Sequence, residues 1–245
     1  MKKIKVIIVD DERLSREELK RALKTYDDFE LIGEAGNADD AKNLIETKMP
    51  DLIFLDIQMP EKSGFDLLES LDNVPSVLFI TAYDQYAVQA FEVNALDYLM
   101  KPIREERFEK AIEKIRTTLK PKSSLNNAEA RDRKIFIKDG EKRFFIQLND
   151  VYLIESLENY TRLFFQDKKA LQRRSLRQWE EMLDKNIFFR INRTEIININ
   201  YIREVNKTIA GRLEVKLKSG EILEVSNRQS VKFKNSNAFN KEGTI

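Results

Sequence analysis

Short apolar runs alternate with helical patterns through the first half of the chain, and this alternation limits the possible folds most strongly. One run, Leu52–Leu55, is apolar on both faces, which is typical of a buried strand in a parallel sheet. Apolar residues between the runs recur at helical spacing, most clearly from Phe108 to Leu119. Five strand-plus-helix units predict an α/β fold, a doubly wound five-stranded parallel sheet with helices on both faces. The predicted strands are Ile4–Val9, Leu31–Ala35, Leu52–Leu55, Val77–Ile80 and Leu96–Met100.

The second half of the chain has the two-residue periodicity of β-strands. Leu213, Val215 and Leu217 alternate with charged residues, a pattern that predicts a half-buried strand. The segments KDGEKR (138–143) and KSGE (218–221) contain the glycines expected in hairpin turns. We therefore predict a mainly antiparallel β domain. Its helices are predicted at Leu176–Leu183 and near Gln229–Asn235.

The two halves also differ in charge. Residues 1–118 hold 17 Lys and Arg against 25 Asp and Glu, a net charge of −8, whereas the remainder holds 26 against 17, a net charge of +9. Such asymmetry indicates a nucleic-acid-binding half, although chance variation between solvated surfaces can produce it too. We expect four segments: an α/β domain at 2–118, a polar linker at 119–133, the β domain at 134–237 and a C-terminal tail at 238–245.

The residue types that the chain lacks exclude several functions. It has no cysteine and no histidine, so disulfides, cysteine-based zinc sites and catalytic triads built on histidine are excluded. No apolar run approaches the length of a membrane span. The first residues reach Asp10 too soon for a signal peptide. We therefore expect a cytoplasmic protein with no membrane partner.

Polar side chains follow the predicted strands of the first domain, at the edge where sheets of this kind bind ligands. Asp10 and Asp11 follow the first strand, Asp56 the third, Thr81 the fourth and Lys101 the fifth. Neighbouring carboxylates repel one another, so the cluster should need a cation, and oxygen ligands suit Mg²⁺. The hydroxyl and the ammonium can hold the oxygens of a phosphoryl group. Each residue alone also fits a structural role, such as a helix cap or a turn.

These residues lie in motifs that resemble the receiver domain of two-component response regulators. The resemblance covers about Lys2–Thr118. It implies a flavodoxin-like fold in which Asp56 is the phosphoacceptor and a sensor histidine kinase is the partner that supplies the phosphoryl group. The motifs are VDDE (9–12), FLDIQMP (54–60), SGFDLL (63–68), FITAYD (79–84) and ALDYLMKPI (95–103).

The same resemblance implies roles for the residues around the phosphoacceptor. Asp11 would be the principal ligand of Mg²⁺ and Asp10 would assist, while Asp56 and the backbone carbonyl of Gln58 would complete the set of protein ligands. The residues implied to contact the phosphoryl group, or to respond to it as a switch, are Thr81, Lys101 and Tyr98. The sequence is equally consistent with Tyr98 as a partly buried aromatic residue of the core.

Basic residues of the second half are interleaved with predicted strands. Lys and Arg can neutralise phosphates, and Arg, Asn and Gln can also read base edges. These runs resemble the LytTR-type DNA-binding domain over roughly Arg133–Asn237, a mainly β family that inserts loops into successive major grooves. The runs are NYTRLFF (159–165), QRRSLRQWE (172–180), FFRINRTEIININ (188–200) and VSNRQSVKFK (225–234).

The resemblance places candidate DNA contacts in specific loops. Arg193 and Arg228 fall where the family contacts bases, and Arg suits bidentate recognition of guanine. Many members carry histidine where Asn192 stands, and some carry it where Thr161 stands, so the chain departs from the pattern at both positions. Asn198 is interpreted as a structural residue. The further candidates are Asn159, Thr161 and Asn192 for bases, and Lys168, Lys169, Arg173 and Arg174 for phosphates.

Together the two resemblances imply a DNA-binding transcriptional regulator controlled by phosphorylation, which binds double-stranded DNA and is not an enzyme. We further expect a homodimer that forms on phosphorylation or on DNA. In one alternative the first half is still a receiver, but the second half binds RNA or another protein. A basic β domain alone does not distinguish DNA from RNA or a protein as its partner. Another alternative is a phosphatase of the haloacid dehalogenase type. That family places a second Asp two residues after its nucleophile, where Gln58 stands here.

Overall fold

A computed structural model describes five stretches of the chain, and these form two units. The stretches are residues 3–82, 96–119, 133–140, 142–208 and 211–234. Within them, the first unit comprises the residues before 120 together with 134–136, 140 and 142–145. The second unit comprises residue 133, residues 137–139 and the residues from 146 onward.

The first unit contains a five-stranded sheet in which every neighbouring pair of strands is parallel. Its order, β2-β1-β3-β4-β5, confirms the predicted doubly wound fold. The apolar runs gave the strand positions to within about two residues, the usual uncertainty at strand ends. The strands are β1 (Ile4–Val9), β2 (Phe29–Ala35), β3 (Leu52–Leu55), β4 (Ser76–Thr81) and β5 (Asp97–Met100).

Four helices accompany this sheet among the described residues. Two of them begin at side-chain caps: Asn37 accepts the backbone N–H of Asp40, and Ser63 forms a reciprocal capping box with Asp66. The helix predicted after the fourth strand falls on residues 83–95, outside the described residues. The helices are α1 (Arg13–Leu23), α2 (Ala38–Lys48), α3 (Gly64–Ser70) and α4 (Glu105–Leu119).

Apolar side chains cover both faces of the sheet. Because successive residues of a strand point to opposite faces, Ile7 and Val9 of β1 join one buried cluster, while Val6 and Ile8 join another. The buried stripe of α4, which includes Phe108, packs in the second cluster. Burial on both faces fixes the strands, so the residues that immediately follow them are held on a rigid frame.

The β-rich part of the chain forms three sheets, with two further helices, α5 (Leu176–Met182) and α6 (Asn227–Lys234). β6 (Lys134–Asp139) pairs with β7 (Lys142–Gln147). A five-stranded antiparallel sheet has the order β10-β9-β8-β12-β11, and a three-stranded antiparallel sheet has the order β13-β14-β15. Their strands are β8 (Val151–Leu157), β9 (Tyr160–Phe165), β10 (Lys168–Gln172), β11 (Phe188–Arg190), β12 (Glu195–Asn198), β13 (Ile202–Lys207), β14 (Leu213–Leu217) and β15 (Ile222–Val225).

In the second unit, the structure confirms the strand predicted at Leu213–Leu217 and the two predicted helices. The alternating residues Leu213, Val215 and Leu217 are buried on one face of β14. The predicted turn at KSGE contains Gly220 with a φ of 107°, a conformation that glycine adopts without strain. α5 and α6 lie within two residues of their predicted positions. Their largest buried side chains are Trp179 and Phe233.

Candidate functional site

Two parallel strands bring Asp10 and Asp56 to one edge of the first sheet. Asp10 directly follows β1, and Asp56 directly follows β3. The backbone N–H of Asp56 donates to the carbonyl of Val9 at 2.8 Å, so the pairing of the two strands continues to the site. One carboxylate oxygen from each of Asp10, Asp11 and Asp56 lies within 4.8 Å of the others. The convergence expected from the strand ends is therefore present in the structure.

Lys101 bridges the two buried carboxylates. Its Nζ lies 2.7 Å from Oδ2 of Asp56 and 2.8 Å from Oδ2 of Asp10. A third, longer contact of 3.3 Å joins it to Oε2 of the exposed Glu12. The backbone N–H of Lys101 donates to the carbonyl of Thr81 at 2.9 Å, which fixes the ends of β5 and β4 beside each other. Four of the five predicted strand-end residues are thus joined by direct contacts.

Burial shifts the pKa values of Asp56 and Lys101. Asp56 is only 6% exposed, and desolvation raises the pKa of its carboxyl group, while the hydrogen bond from Lys101 opposes that rise. Burial alone would lower the pKa of Lys101, but its hydrogen bonds with Asp10 and Asp56 outweigh burial and raise that pKa. Lys101 therefore carries a fixed positive charge at the site.

Thr81 is the last residue of β4, and Tyr98 lies on the neighbouring strand β5. Thr81 is fully buried, and within the described residues its hydroxyl has no hydrogen-bond partner. A buried polar group of this kind costs free energy unless a further partner binds it. Tyr98 pairs with Phe79 across β4 and β5, and its ring lies in an apolar cluster. In this structure Tyr98 therefore occupies the position of a buried core aromatic.

The segment after Asp56 packs closely against the phosphoacceptor predicted from the sequence. Gln58 is exposed, and its backbone N–H donates to Oδ1 of Asp56 at 3.0 Å. A side chain at Gly64 would collide with the backbone oxygen of Asp56, so only glycine allows α3 to begin this close to the site. The backbone N–H of Gly64 donates to the carbonyl of Ile57 at 2.8 Å. The loop 57–63 is thereby held between β3 and α3.

The donor set fits Mg²⁺. It consists of carboxylate oxygens, which are hard ligands, and Asp11 is exposed, which leaves room for the water ligands that Mg²⁺ usually keeps. The three carboxylates exceed the single positive charge of Lys101, so the cluster retains net negative charge. A second cation beside Lys101 would offset that charge.

The support that α1 gives to these aspartates was not among the contacts predicted from the sequence. Oγ of Ser15 donates to Oδ2 of Asp10 at 2.6 Å. Nη1 of Arg16 donates to the backbone carbonyls of Asp10 and Asp11, at 2.7 and 3.2 Å. Ser15 is a polar residue one turn before Leu19 on the buried face of an amphipathic helix, and that position was the available signal.

In the second unit, backbone hydrogen bonds bring three loops together. The N–H of Ser226 donates to the carbonyl of Ile191 at 3.0 Å, and the N–H of Ser156 donates to the carbonyl of Thr194 at 2.7 Å. We name the group formed by residues 158–160, 192–194 and 226–228 the three-loop surface; it includes the first residue of β9 and the first two residues of α6. Its exposed members include the predicted base-contacting residues Asn159, Arg193 and Arg228.

Asn192 supports this surface instead of extending from it. Its Oδ1 accepts both the N–H and the hydroxyl of Thr194, and its Nδ2 donates to Glu195 and to the carbonyl of Glu224. Arg190 adds two bonds, from Nε and Nη2 to the carbonyls of Asn192 and Arg193, each 3.0 Å long. The side chain of Asn192 is fully used within the protein, so the structure gives it a loop-fixing role where the sequence suggested a base contact.

One further expectation about DNA contacts is corrected. Thr161 is completely buried, and its hydroxyl accepts the indole N–H of Trp179 at 2.8 Å, so the prediction that it contacts bases is wrong. Arg174 is half-buried, with its guanidinium 4.9 Å from the centre of the Trp179 ring, which is a cation–π contact. Its contact with a DNA phosphate stays a prediction. Asn198 is confirmed as structural, because its buried amide donates to backbone carbonyls. The predicted phosphate contacts that remain exposed are Lys168, Lys169 and Arg173.

Comparison with known proteins identifies both units. A family model of the response regulator receiver domain matches residues 6–113, and a model of the LytTr DNA-binding domain matches residues 141–237. The first match defines the class of protein as a response regulator. The matched output domain is a DNA-binding one, so the comparison favours DNA over an RNA- or protein-interacting output.

Relatives that match along almost the whole length narrow the identification further. The sensory transduction protein LytT of Bacillus anthracis is 33% identical over 232 residues, which cover 91% of this chain and 94% of the relative. The transcriptional regulatory protein BtsR of Salmonella typhi is 35% identical over 230 residues, which cover 92% and 95%. A solved structure is similar to one part of the chain only. It is the response regulatory domain of mrkE from Klebsiella pneumoniae, which is 36% identical with a TM-score of 0.44, and the match covers 46% of this chain and 96% of the solved chain.

The chain belongs to the LytTR family of response regulators. It is a phosphorylation-controlled, DNA-binding transcriptional regulator, as the sequence motifs predicted. In the part of the chain that the structure describes, the helices are too short or too polar to cross a membrane.

Proposed function

We propose that Asp56 accepts a phosphoryl group from a sensor histidine kinase, and that Asp10, Asp11, Asp56 and the backbone carbonyl of Gln58 hold Mg²⁺ during this transfer. The observation that carries the proposal is the bridge of Lys101 between Asp10 and Asp56, at 2.8 and 2.7 Å, on the end of a doubly buried sheet. This bridge would hold the proposed nucleophile, Asp56, beside the ammonium group of Lys101 before the transfer begins.

The residues of the site divide the work of the transfer. A carboxylate oxygen of Asp56 bonds to phosphorus while the bond from phosphorus to the donor breaks. Bound Mg²⁺ would offset the negative charge of the transferred group. Lys101 Nζ is placed to turn from Oδ2 of Asp56 to a phosphoryl oxygen, and the hydroxyl of Thr81 is the buried donor that a second phosphoryl oxygen would satisfy. The chain itself is the acceptor, so we assign it no enzymatic turnover.

Phosphorylation would act on DNA binding through Thr81 and Tyr98. As Thr81 follows the phosphoryl group, it vacates space into which Tyr98 can turn from its apolar cluster. We propose that this rearrangement favours a homodimer, since two linked DNA-binding modules gain effective concentration on a double-stranded site. We propose that the protein is located in the cytoplasm, because both the chromosome and the phosphorylated kinase are accessible there.

On the DNA side, the three-loop surface would enter the major groove. Arg193 and Arg228 are its exposed arginines and are proposed to contact bases, with Asn159 as a further candidate. Lys168, Lys169 and Arg173 are exposed cations suited to phosphates, which position the protein and do not read sequence. Backbone bonds from Ser156 and Ser226 hold the loops beside each other.

The test of the phosphoacceptor is labelling by a small phosphodonor with and without Mg²⁺. We expect stoichiometric labelling of the wild type that needs Mg²⁺ and none of Asp56→Asn. Asp39→Asn is the matched control, because Asp39 is an exposed carboxylate at the start of α2. Stoichiometric labelling of Asp56→Asn would exclude Asp56 as the acceptor.

A further inference from the structure

We infer that Ser15 is a positioning residue that orients the carboxylate of Asp10 for Mg²⁺. This inference rests on the proposed phosphoacceptor function. Ser15 is the third residue of α1, and its side chain points from the helix into the carboxylate cluster. Nothing in the receiver motifs singles it out, because it lies between VDDE and the apolar stripe of α1.

The contacts of Asp10 show what Ser15 does. Asp10 is 1% exposed, and each of its oxygens is fixed. Oδ1 accepts the backbone N–H of Glu12 at 2.9 Å. Oδ2 accepts the hydroxyl of Ser15 at 2.6 Å and faces Lys101 Nζ at 2.8 Å. Ser15 is thus the uncharged side-chain donor to this oxygen, and both partners of the short bond are buried.

Lys101 contacts both Asp10 and Asp56, so it is not sufficient by itself to fix the carboxylate of Asp10. In the proposed transfer, Lys101 turns toward a phosphoryl oxygen, and its contact with Asp10 weakens. The Ser15 hydroxyl then remains on Oδ2 of Asp10. Without it, a buried carboxylate oxygen would lose its neutral donor, and the carboxylate could rotate away from the other ligands.

Arg16 completes this support without duplicating it. Its guanidinium binds the backbone carbonyls of Asp10 and Asp11, and its Nε lies 3.6 Å from the carboxylate of Glu34 on β2. Arg16 therefore fixes the path of the loop, whereas Ser15 fixes the orientation of one carboxylate within it. Removing the hydroxyl of Ser15 should affect metal affinity more than the fold.

The test uses the full chain and Mn²⁺, whose binding can be followed by electron paramagnetic resonance and competed with Mg²⁺. We expect Ser15→Ala to bind Mn²⁺ about tenfold more weakly, the lower end of the usual effect of losing a partner of a metal ligand. Ser15→Thr should retain most of the affinity, because threonine keeps the hydroxyl. Ser15→Val, whose side chain has the shape of threonine but no hydroxyl, should match Ser15→Ala. Ser70→Ala is the control, because its hydroxyl donates to the carbonyl of Leu67 in α3.

A second readout separates positioning from a general structural effect. The Mg²⁺ concentration that gives half-maximal phosphodonor labelling should rise in Ser15→Ala, while labelling at saturating Mg²⁺ stays at the wild-type level. Equal Mn²⁺ affinity in Ser15→Ala and Ser70→Ala, or in Ser15→Thr and Ser15→Val, would overturn the inference about Ser15. Failure of the wild type itself to bind Mn²⁺ in competition with Mg²⁺ would instead overturn the proposed metal site.

Discussion

The two units place their charged residues in opposite ways. The first unit buries charge at the ends of its strands, where Asp10, Asp56 and Lys101 form a desolvated cluster. The second unit keeps its predicted DNA-contacting cations exposed, with Arg193 on a loop and Arg228 in the first turn of α6. The difference follows from the task, because transfer of a phosphoryl group needs charges fixed away from water, whereas recognition of DNA needs side chains that can reach it.

Both units nevertheless support their functional residues with buried polar groups. In the first unit the support is Ser15, bonded to a carboxylate. In the second unit Asn198 bonds to the carbonyls of Asn149 and Val151, while Thr161 accepts the N–H of Trp179. The contrast therefore predicts that mutations at the buried cluster change stability and chemistry together, and that mutations on the loops change DNA binding alone.

The largest expected effect lies at Lys101. Lys101→Met leaves two buried carboxylates facing each other, and we expect a loss of about 3 kcal/mol in the unfolding free energy of the first unit without Mg²⁺. Denaturant unfolding in the presence of a chelator measures this loss. The matched control is Lys62→Met, because Lys62 pairs with Asp39 at the surface and such pairs are worth about 0–1 kcal/mol. Equal losses in both variants would show that the cluster is not electrostatically coupled.

The next effect sharpens the distinction between support and contact in the second unit. Thr161→Val keeps the shape of the side chain but leaves the indole N–H of Trp179 without its acceptor, so we expect a loss of about 1–3 kcal/mol in unfolding free energy. The preference for a specific DNA sequence should not change. Asn159→Ala is the contrasting variant, because Asn159 is exposed and its loss should leave stability nearly unchanged. A change of sequence preference in Thr161→Val would return Thr161 to the set of base contacts.

A change in free energy of similar size is expected for DNA binding when Arg193 or Arg228 is replaced. Arg193→Ala and Arg228→Ala should each cost about 1–3 kcal/mol on the specific site and flatten its sequence preference. Lys168→Ala should weaken specific and scrambled duplexes alike and reduce the salt slope by about one. Titration of both duplexes at several salt concentrations measures these effects. If the arginine variants lose affinity equally for the two duplexes, those arginines contact phosphates.

The smallest effect concerns pH. Because burial raises the pKa of Asp56 above its ordinary value of 3.8, the folded state holds that proton more tightly than the unfolded state. The contribution of Asp56 to stability is therefore greatest below the ordinary value and is lost as the pH rises through the raised pKa. In metal-free unfolding experiments, Asp56→Asn should gain stability relative to the wild type as the pH rises across that window. A difference that stays constant with pH would show that the pKa of Asp56 is not raised.

The sequence predicted the parts of the site that depend on strand ends. The positions of Asp10 and Asp56 follow from runs of apolar residues, because parallel strands end at one edge. The burial of Thr161 could not be predicted in this way, since it depends on Trp179, which is 18 residues later on α5. The role of Asn192 depends on a bond to the carbonyl of Glu224, 32 residues away. Local patterns carry no information on such tertiary contacts.

In the proposed mechanism, phosphorylation of Asp56 controls binding of DNA by the three-loop surface. Its most direct test is the affinity of the full chain for its specific duplex, measured with Mg²⁺ and with or without a small phosphodonor, for the wild type and Asp56→Asn. We expect the phosphodonor to tighten DNA binding by the wild type and to leave DNA binding by Asp56→Asn unchanged. Equal affinity of the wild type with and without stoichiometric phosphorylation would contradict it.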